Sequence, residues 1–159
     1  MRTASGHLRV TLLLASLARG GAERVAVTLM TELVRRGHAV TLLTLAAEDD
    51  DAFAAPDGVQ RVPLAVTGPS AGAWDAIRSN AQRLLAVRRA VEASAPDVVI
   101  AFQSTVNVTA LLALAGRRTP VVVSERVDPR AHPLPRPWAA LRRLTYPRAA
   151  ALVVQTSTL

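Results

Sequence analysis

The sequence contains no cysteine, and aromatic residues make up only 3% of its 159 positions. Without cysteine, the chain forms neither disulfide bonds nor thiolate metal sites. Its three histidines, His7, His38 and His132, are widely separated, so we expect no metal site. With so few aromatic residues, the core must consist mainly of Ala, Val and Leu, which is typical of a parallel sheet covered by helices.

Two common nucleotide-binding signatures are also absent. The dinucleotide fingerprint G-x-G-x-x-G does not occur, and Thr44 and Leu45 stand where a dehydrogenase carries an acidic residue for the ribose. No G-K-[ST] sequence occurs either. These absences argue against a dinucleotide-dependent dehydrogenase and against a P-loop NTPase.

Lysine is missing altogether, so all 19 basic residues are arginine, and the net charge is +7. This charge favours an anionic partner, such as a phosphate-bearing substrate or an acidic membrane surface. We expect no nucleic acid partner, because the arginines are not interleaved with stacking aromatic residues.

Short apolar runs alternate with helical patterns along the chain. This alternation predicts one α/β domain over residues 1–159, a Rossmann-like, doubly wound, mostly parallel sheet of about six strands with helices on both faces. The predicted strands span residues 8–15, 39–45, 60–64, 97–102, 120–124 and 151–155, and the predicted helices span residues 22–36, 74–93, 106–115 and 138–144.

Helical spacing predicts which faces of the first two helices are buried. The first helix places Glu23 outside its apolar face, which consists of Ala22, Val25, Ala26, Leu29 and Leu33. The second helix has an apolar stripe that consists of Ile77, Ala81, Leu84, Val87 and Val91. Between the second and third strands, the acidic run 48–51 is predicted to be a solvated loop.

The first candidate site follows the first strand, because a doubly wound sheet binds its ligands at the carboxyl ends of its strands. Here the sequence is Gly20-Gly21-Ala22-Glu23-Arg24. The glycines let the backbone approach a ligand, the N–H groups at the helix start favour a phosphate, and Arg24 can reach an anion. Glu23 complements the helix dipole. A plain strand-to-helix turn explains the same residues equally well.

The second candidate site follows the fourth strand, where Gln103, Ser104 and Asn107 can bind sugar hydroxyls. Capping of the following helix by Ser104 or Thr105 is the commoner explanation for those two residues, so Gln103 is the better functional candidate.

The third candidate site follows the fifth strand and comprises Ser124, Glu125, Arg126 and Asp128. Glu125 can accept hydrogen bonds from hydroxyl groups, and Arg126 can hold a phosphate in a bidentate manner. The alternative is an internal ion pair that fixes the loop.

The stretch around residues 137–148 combines arginines with Trp138 and Tyr146, and the helix 74–93 is also basic. Such stretches can lie on an anionic membrane, although ordinary helix packing and a solvated face are the simpler explanations.

Four segments together resemble the N-terminal, acceptor-side domain of glycosyltransferase family 4. They are residues 17–25 (LARGGAERV), 33–44 (LVRRGHAVTLLT), 96–100 (PDVVI) and 151–156 (ALVVQT). Residues 124–129 (SERVDP) are similar to the branch of the family that adds hexose or N-acetylhexosamine units to lipid-linked glycans.

The resemblance implies one half of a GT-B enzyme, a retaining glycosyltransferase that needs no metal or other cofactor. Its C-terminal domain, which would bind a UDP- or GDP-sugar, is expected to lie outside residues 1–159, so this chain alone should be inactive. The Gly20-Gly21 turn would approach the donor diphosphate across the cleft, and the acceptor would be a glycan or a lipid-linked glycan. Many relatives carry a histidine just after the fifth strand, where this chain has Ser124, Glu125 and Arg126, so the catalytic residues stay unassigned. The expected location is cytoplasmic, with peripheral contact at the inner face of the membrane.

Two alternatives stay open. One is a non-catalytic, Rossmann-like module that binds a glycan, a nucleotide or a membrane. The other is an unrelated Rossmann-like enzyme such as a sugar epimerase. The second alternative is disfavoured because the sequence has neither a plausible histidine–carboxylate dyad nor a G-x-S-x-G motif.

Overall fold

The protein is an α/β domain built on one six-stranded sheet, in a computed structural model that describes residues 6–68, 72–126 and 133–155. Every strand pairing is parallel. The strands are β1 (Arg9–Leu14), β2 (Ala39–Thr44), β3 (Val59–Pro63), β4 (Val98–Phe102), β5 (Val121–Ser124) and β6 (Ala151–Val153), and the helices are α1 (Gly21–Arg35), α2 (Ala73–Ser94), α3 (Ser104–Ala113) and α4 (Arg136–Thr145). The predicted fold class is confirmed, and each boundary lies within one or two residues of its prediction.

Two apolar clusters cover the two faces of the sheet, because successive side chains of a strand point to opposite sides. Leu12 and Leu14 of β1 pack with Ala26 and Met30 of α1. Leu13 belongs to the other cluster, with the buried residues of α2 and α3 that include Val87, Val91, Val106 and Ala110. The sheet is therefore doubly wound, with α1 on one face and α2 and α3 on the other.

The strand order β3-β2-β1-β4-β5-β6 sets the place of the site. The chain builds outward from β1 in one direction and then restarts from β4 in the other, so the topological switch point lies between β1 and β4. Open α/β sheets bind their ligands in the crevice at the carboxyl ends of the strands beside such a point.

The predicted face of α1 needs two corrections. Val25 is exposed, whereas Met30 is fully buried in its place. The buried positions Ala22, Ala26 and Met30 recur every four residues, which turns Val25 to the edge of the face. Glu23 is buried rather than outside, because its carboxylate folds back over the helix start.

The predicted stripe of α2 is buried only in its second half. Val87 and Val91 are enclosed, but Ile77 and Ala81 are exposed. The reason is length, because 22 residues of helix span about 33 Å, whereas a strand of five residues spans about 17 Å. The first half of α2 therefore extends past the sheet.

The acidic run 48–51 is not a uniformly solvated loop. Glu48–Asp50 forms a single 3₁₀ turn, and the Asp51 side chain is only 11% exposed, in an ion pair with Arg61. Of the four helices of this fold, as far as their residues are described, none is long and apolar enough to cross a bilayer.

Candidate functional site

The three candidate segments lie side by side, because β1, β4 and β5 are neighbours in the sheet. The Gly20-Gly21 turn follows β1, Gln103 follows β4, and Glu125 follows β5. Asp128 lies outside the described residues. The structure thus brings the described candidates to one edge of the sheet and across the switch point, while their part in ligand binding stays a prediction.

Gly20 lies directly beneath the carboxylate of Glu23. Gly20 is the N-cap of α1 in an extended conformation, with φ −174°, which any residue adopts. A Cβ atom at this position would overlap with Oε2 of Glu23, whereas one at Gly21 would meet no atom within 4 Å. Gly20 therefore leaves room for the Glu23 carboxylate, which lies over the helix start, and the space beside Gly21 is open.

Gln103 connects the two sides of the switch point. Its Nε2 donates a hydrogen bond of 3.1 Å to Oε1 of Glu23. Its φ of 73° and ψ of 144° are unusual for a residue with a side chain and carry a strain on the order of 1–3 kcal/mol. Such strain is found most often at functional sites. The predicted capping role of Ser104 is wrong, because the N-cap of α3 is Gln103 and no side chain caps it.

Glu125 is the centre of a buried polar network and is only 2% exposed. Ser104 Oγ donates to its Oε2 at 2.8 Å, the Tyr146 hydroxyl donates to its Oε1, and Arg142 Nε lies 3.6 Å from the same oxygen. These internal partners are those of the ion-pair alternative, and a ligand would have to replace them to reach the carboxylate.

Asn107 extends this network into the core, where it is fully buried. Its Nδ2 donates to the Ser124 carbonyl at 3.1 Å and to the Tyr146 hydroxyl at 3.0 Å. Within the described residues, Asn107 Oδ1 and Ser124 Oγ have no hydrogen-bond partner. Both side chains are thus enclosed in the structure as it stands.

Tyr146 and Arg142 are members of this network that the sequence did not identify. Burial, followed by the bond to Glu125, raises the pKa of Tyr146 above its ordinary value, and the Arg142 guanidinium lies 5.1 Å from the centre of the tyrosine ring. In the sequence, both residues belong to the basic stretch 137–148. No spacing signal could have paired them with Glu125, which is 21 residues away from Tyr146.

Arg126 points to the opposite side of the sheet from Glu125. Its guanidinium lies 5.4 Å from the centre of the Phe102 ring, and Phe102 belongs to the apolar cluster beneath α1. Burial lowers the pKa of Arg126. Over residues 6–68, 72–126 and 133–155, no carboxylate pairs with Arg126, and its buried Nε has no hydrogen-bond partner. Among the described residues, this guanidinium therefore has no internal ion pair that an anion would have to break.

No group of three or more metal-ligating side chains is found in the part of the chain that the structure describes. The described part of the edge carries hydrogen-bonding and charged groups. It comprises the first turn of α1, the strained Gln103 and the Arg126 guanidinium.

The fold and this edge define a Rossmann-like domain of the type that forms one half of GT-B glycosyltransferases. The family model described as "Glycosyl transferase 4-like domain" matches residues 20–159. The chain belongs to this family and corresponds to its N-terminal domain.

A relative from Campylobacter jejuni subsp. jejuni serotype O:2 is 30% identical over 151 residues. It is a GalNAc-alpha-(1->4)-GalNAc-alpha-(1->3)-diNAcBac-PP-undecaprenol alpha-1,4-N-acetyl-D-galactosaminyltransferase. The alignment covers 95% of this chain and 41% of the relative, so the chain spans less than half of the relative's length.

Two solved structures show the same fold at low sequence identity. MurG from Acinetobacter baumannii superimposes with a TM-score of 0.67 at 16% identity, over 94% of this chain and 42% of that chain. UDP-N-acetylglucosamine 2-epimerase from Rickettsia bellii gives a TM-score of 0.62 at 15% identity, over 94% of this chain and 39% of that chain.

Proposed function

We propose that this chain is the N-terminal half of a retaining glycosyltransferase that transfers a hexose or N-acetylhexosamine from a UDP- or GDP-sugar to a glycan or lipid-linked acceptor. The family and the Campylobacter relative, which acts on an undecaprenol-linked glycan, support this proposal. The observation that carries it is the Arg126 guanidinium, which has no carboxylate partner among the described residues and lies on the same face of the sheet as the start of α1.

The donor diphosphate is the group that this edge of the sheet would contact. Arg126 provides a planar, partly buried cation, and stacking on Phe102 limits its motion. The first turn of α1 provides backbone N–H groups and the positive end of the helix dipole. A diphosphate that enters the crevice near the switch point would meet both.

The other parts of the reaction would take place at the interface with a second domain. A C-terminal domain would hold the nucleotide and sugar, and this chain would present the acceptor and contact the diphosphate across the cleft. No cofactor is needed in this scheme. The 159-residue chain alone should therefore bind anions but should not transfer sugar.

Binding to the 159-residue chain tests the anion contact. Inorganic pyrophosphate and UDP should bind the wild-type chain, and Arg126→Met should weaken both affinities roughly tenfold, about 1.4 kcal/mol. Arg143→Met is the matched control, because Arg143 is exposed on α4. Equal affinities of the wild type and Arg126→Met would contradict the contact.

Transfer assays test the enzyme itself. The full-length gene product should transfer sugar from a UDP- or GDP-sugar to a lipid-linked glycan acceptor with retention of anomeric configuration. The 159-residue chain should show no turnover under the same conditions. Robust turnover by this chain alone would refute the two-domain proposal, whereas anion binding without turnover by the full-length protein would favour the non-catalytic binding module.

A peripheral membrane contact is proposed on a separate observation. The first half of α2 exposes Trp74 by 84% and Ile77 by 61%, with Arg78 beside them, and α4 exposes Leu144 next to Arg143. Exposed apolar side chains among arginines suit the anionic inner face of a membrane, which would place the protein in the cytoplasm.

Vesicle sedimentation tests this contact. The chain should bind vesicles that contain phosphatidylglycerol more strongly than neutral vesicles, and Trp74→Ala should weaken the binding. Ser79→Ala on the same helix is the control. Equal binding to both kinds of vesicle, or to neither, would contradict the contact.

A further inference from the structure

The loop that precedes α1 is held by the segment after the 3₁₀ turn 48–50. Oδ1 of Asp51 accepts a hydrogen bond of 3.0 Å from the Leu17 N–H. The Leu17 carbonyl accepts bonds of 2.9 Å and 3.0 Å from the N–H groups of Ala52 and Phe53. Both backbone polar groups of Leu17 are therefore fixed, three residues before Gly20.

Arg61 of β3 fixes Asp51 in turn. Its guanidinium forms an ion pair with the Asp51 carboxylate, donates to Thr44 Oγ1 at 3.3 Å and lies 3.7 Å from Glu48. The Arg61 and Asp51 side chains are only 13% and 11% exposed. The desolvation of such a pair offsets much of its attraction, so its net contribution to stability is small. What the pair provides is a fixed direction for the carboxylate that binds Leu17.

We propose that Asp51, oriented by Arg61, is a positioning residue for the Gly20-Gly21 turn. The inference rests on the proposed function, in which this turn meets the donor diphosphate. Leu17 is fully buried and its backbone is bonded on both sides, so the chain enters α1 from one fixed point. The N–H groups at the helix start are then oriented before the ligand arrives, which lowers the entropic cost of binding.

The acidic run offers a matched pair of variants. Asp49 lies two residues from Asp51 and is exposed. Asp49→Asn and Asp51→Asn remove the same charge from the same segment, but only the second breaks the pair with Arg61. Asp51→Ala also removes the acceptor for the Leu17 N–H, which Asp51→Asn can keep. We therefore expect a graded series in which Asp51→Ala has the largest effect and Asp49→Asn has none.

Hydrogen exchange on the 159-residue chain tests the positioning without any ligand. Asp51→Ala should accelerate exchange of the amides in residues 17–21 at least tenfold, Asp51→Asn should do so less, and Asp49→Asn should match the wild type. Exchange in α3 should stay unchanged in all three variants. Unchanged exchange in residues 17–21, or equal acceleration in α3, would overturn the proposal.

Kinetics of the full-length protein add a measurement that a merely structural role would not change. Asp51→Asn should raise the KM for the nucleotide sugar several-fold, with kcat and the acceptor KM nearly unchanged. A lower kcat with an unchanged donor KM would overturn the positioning role. If the wild type neither transfers sugar nor binds pyrophosphate, the proposed function fails, and local acceleration of exchange would still support a role of Asp51 in fixing the turn.

Discussion

Glu125 and Arg126 are neighbours in sequence, but they lie in two opposite environments. Glu125 faces α3 and α4, where Ser104, Tyr146 and Arg142 surround its carboxylate. Arg126 faces the side of α1 and stacks on Phe102, without a carboxylate partner in the described part of the chain. One side of this edge is thus closed by internal bonds, whereas the other holds a cation that is free of such bonds to the described carboxylates.

The energetics of the two charges differ accordingly. A buried carboxylate is tolerated when its oxygens are hydrogen-bonded, and removal of one partner leaves an uncompensated charge. The partly buried guanidinium of Arg126, whose Nε has no partner in the described ranges, carries a desolvation cost in the free protein, and this cost lowers its pKa. Binding of an anion would offset that cost. We therefore expect changes at Glu125 to affect folding and changes at Arg126 to affect binding.

The largest expected effect is that of Glu125→Ala. This change leaves the Ser104 and Tyr146 hydroxyls and the Arg142 guanidinium without their shared acceptor. Loss of one member of a buried charge pair costs about 3–5 kcal/mol in the free energy of unfolding. Urea denaturation followed by circular dichroism measures it. Glu125→Gln, which keeps the shape, should cost less, and a wild-type midpoint for Glu125→Ala would mean that the network does not stabilise the fold.

Tyr146→Phe should have the next largest effect, a loss of about 1–2 kcal/mol, because it removes one hydrogen bond to a buried carboxylate. Burial and Glu125 raise the pKa of Tyr146 in the folded state above its ordinary value of 10.0. A raised pKa contributes stability that is present below pH 10.0 and is lost as the pH rises above it. The wild type should therefore lose stability in alkali more steeply than Tyr146→Phe.

Tyr146 is the single tyrosine of the chain, so phenolate absorbance reports on it alone. The titration in the folded wild type should lie above that of the urea-unfolded chain. If the folded and unfolded chains titrate at the same pH, the buried network does not stabilise the protonated Tyr146 hydroxyl. The same conclusion follows if Tyr146→Phe loses as much stability in alkali as the wild type.

The fold could be predicted almost completely from the sequence, because parallel strands such as β1 and β4 are continuous apolar runs separated by helical patterns. What the pattern could not give is how far each helix overlaps the sheet. Periodicity alone marks Ile77 and Val87 as equivalent, yet only Val87 lies over the sheet.

The candidate site could be located but not resolved into its two sides. Position after a strand places Glu125 and Arg126 at the carboxyl edge, as the sequence analysis expected. Their partners come from residues far along the chain, such as Tyr146 for Glu125 and Phe102 for Arg126. Asp51 was misassigned for the same reason, since its pair with Arg61 depends on the register of β3 beside β2.

Alanine substitutions of the two glycines at the start of α1 should change the free energy of unfolding less than the changes above, and in opposite directions. Gly20→Ala forces the Glu23 carboxylate away and breaks its bond with Gln103, which should cost about 1 kcal/mol. Gly21→Ala enters open space at the start of a helix and should be neutral or stabilise by up to about 1 kcal/mol. Thermal unfolding of both variants measures the difference. Equal costs would show that Glu23 does not pack over Gly20.

Arg126→Met should have the smallest effect on folding. This variant tests most directly whether Arg126, unlike Glu125, lacks an internal partner. Glu125→Gln and Arg126→Met each remove one charge from adjacent positions. Methionine can occupy the space over Phe102 without the desolvation cost of a guanidinium, so the free energy of unfolding should change by less than about 0.5 kcal/mol. The same variant should lose most of its pyrophosphate affinity. A large loss of stability in urea would mean that Arg126 has an internal partner, and the open side of the edge would then be as closed as the side of Glu125.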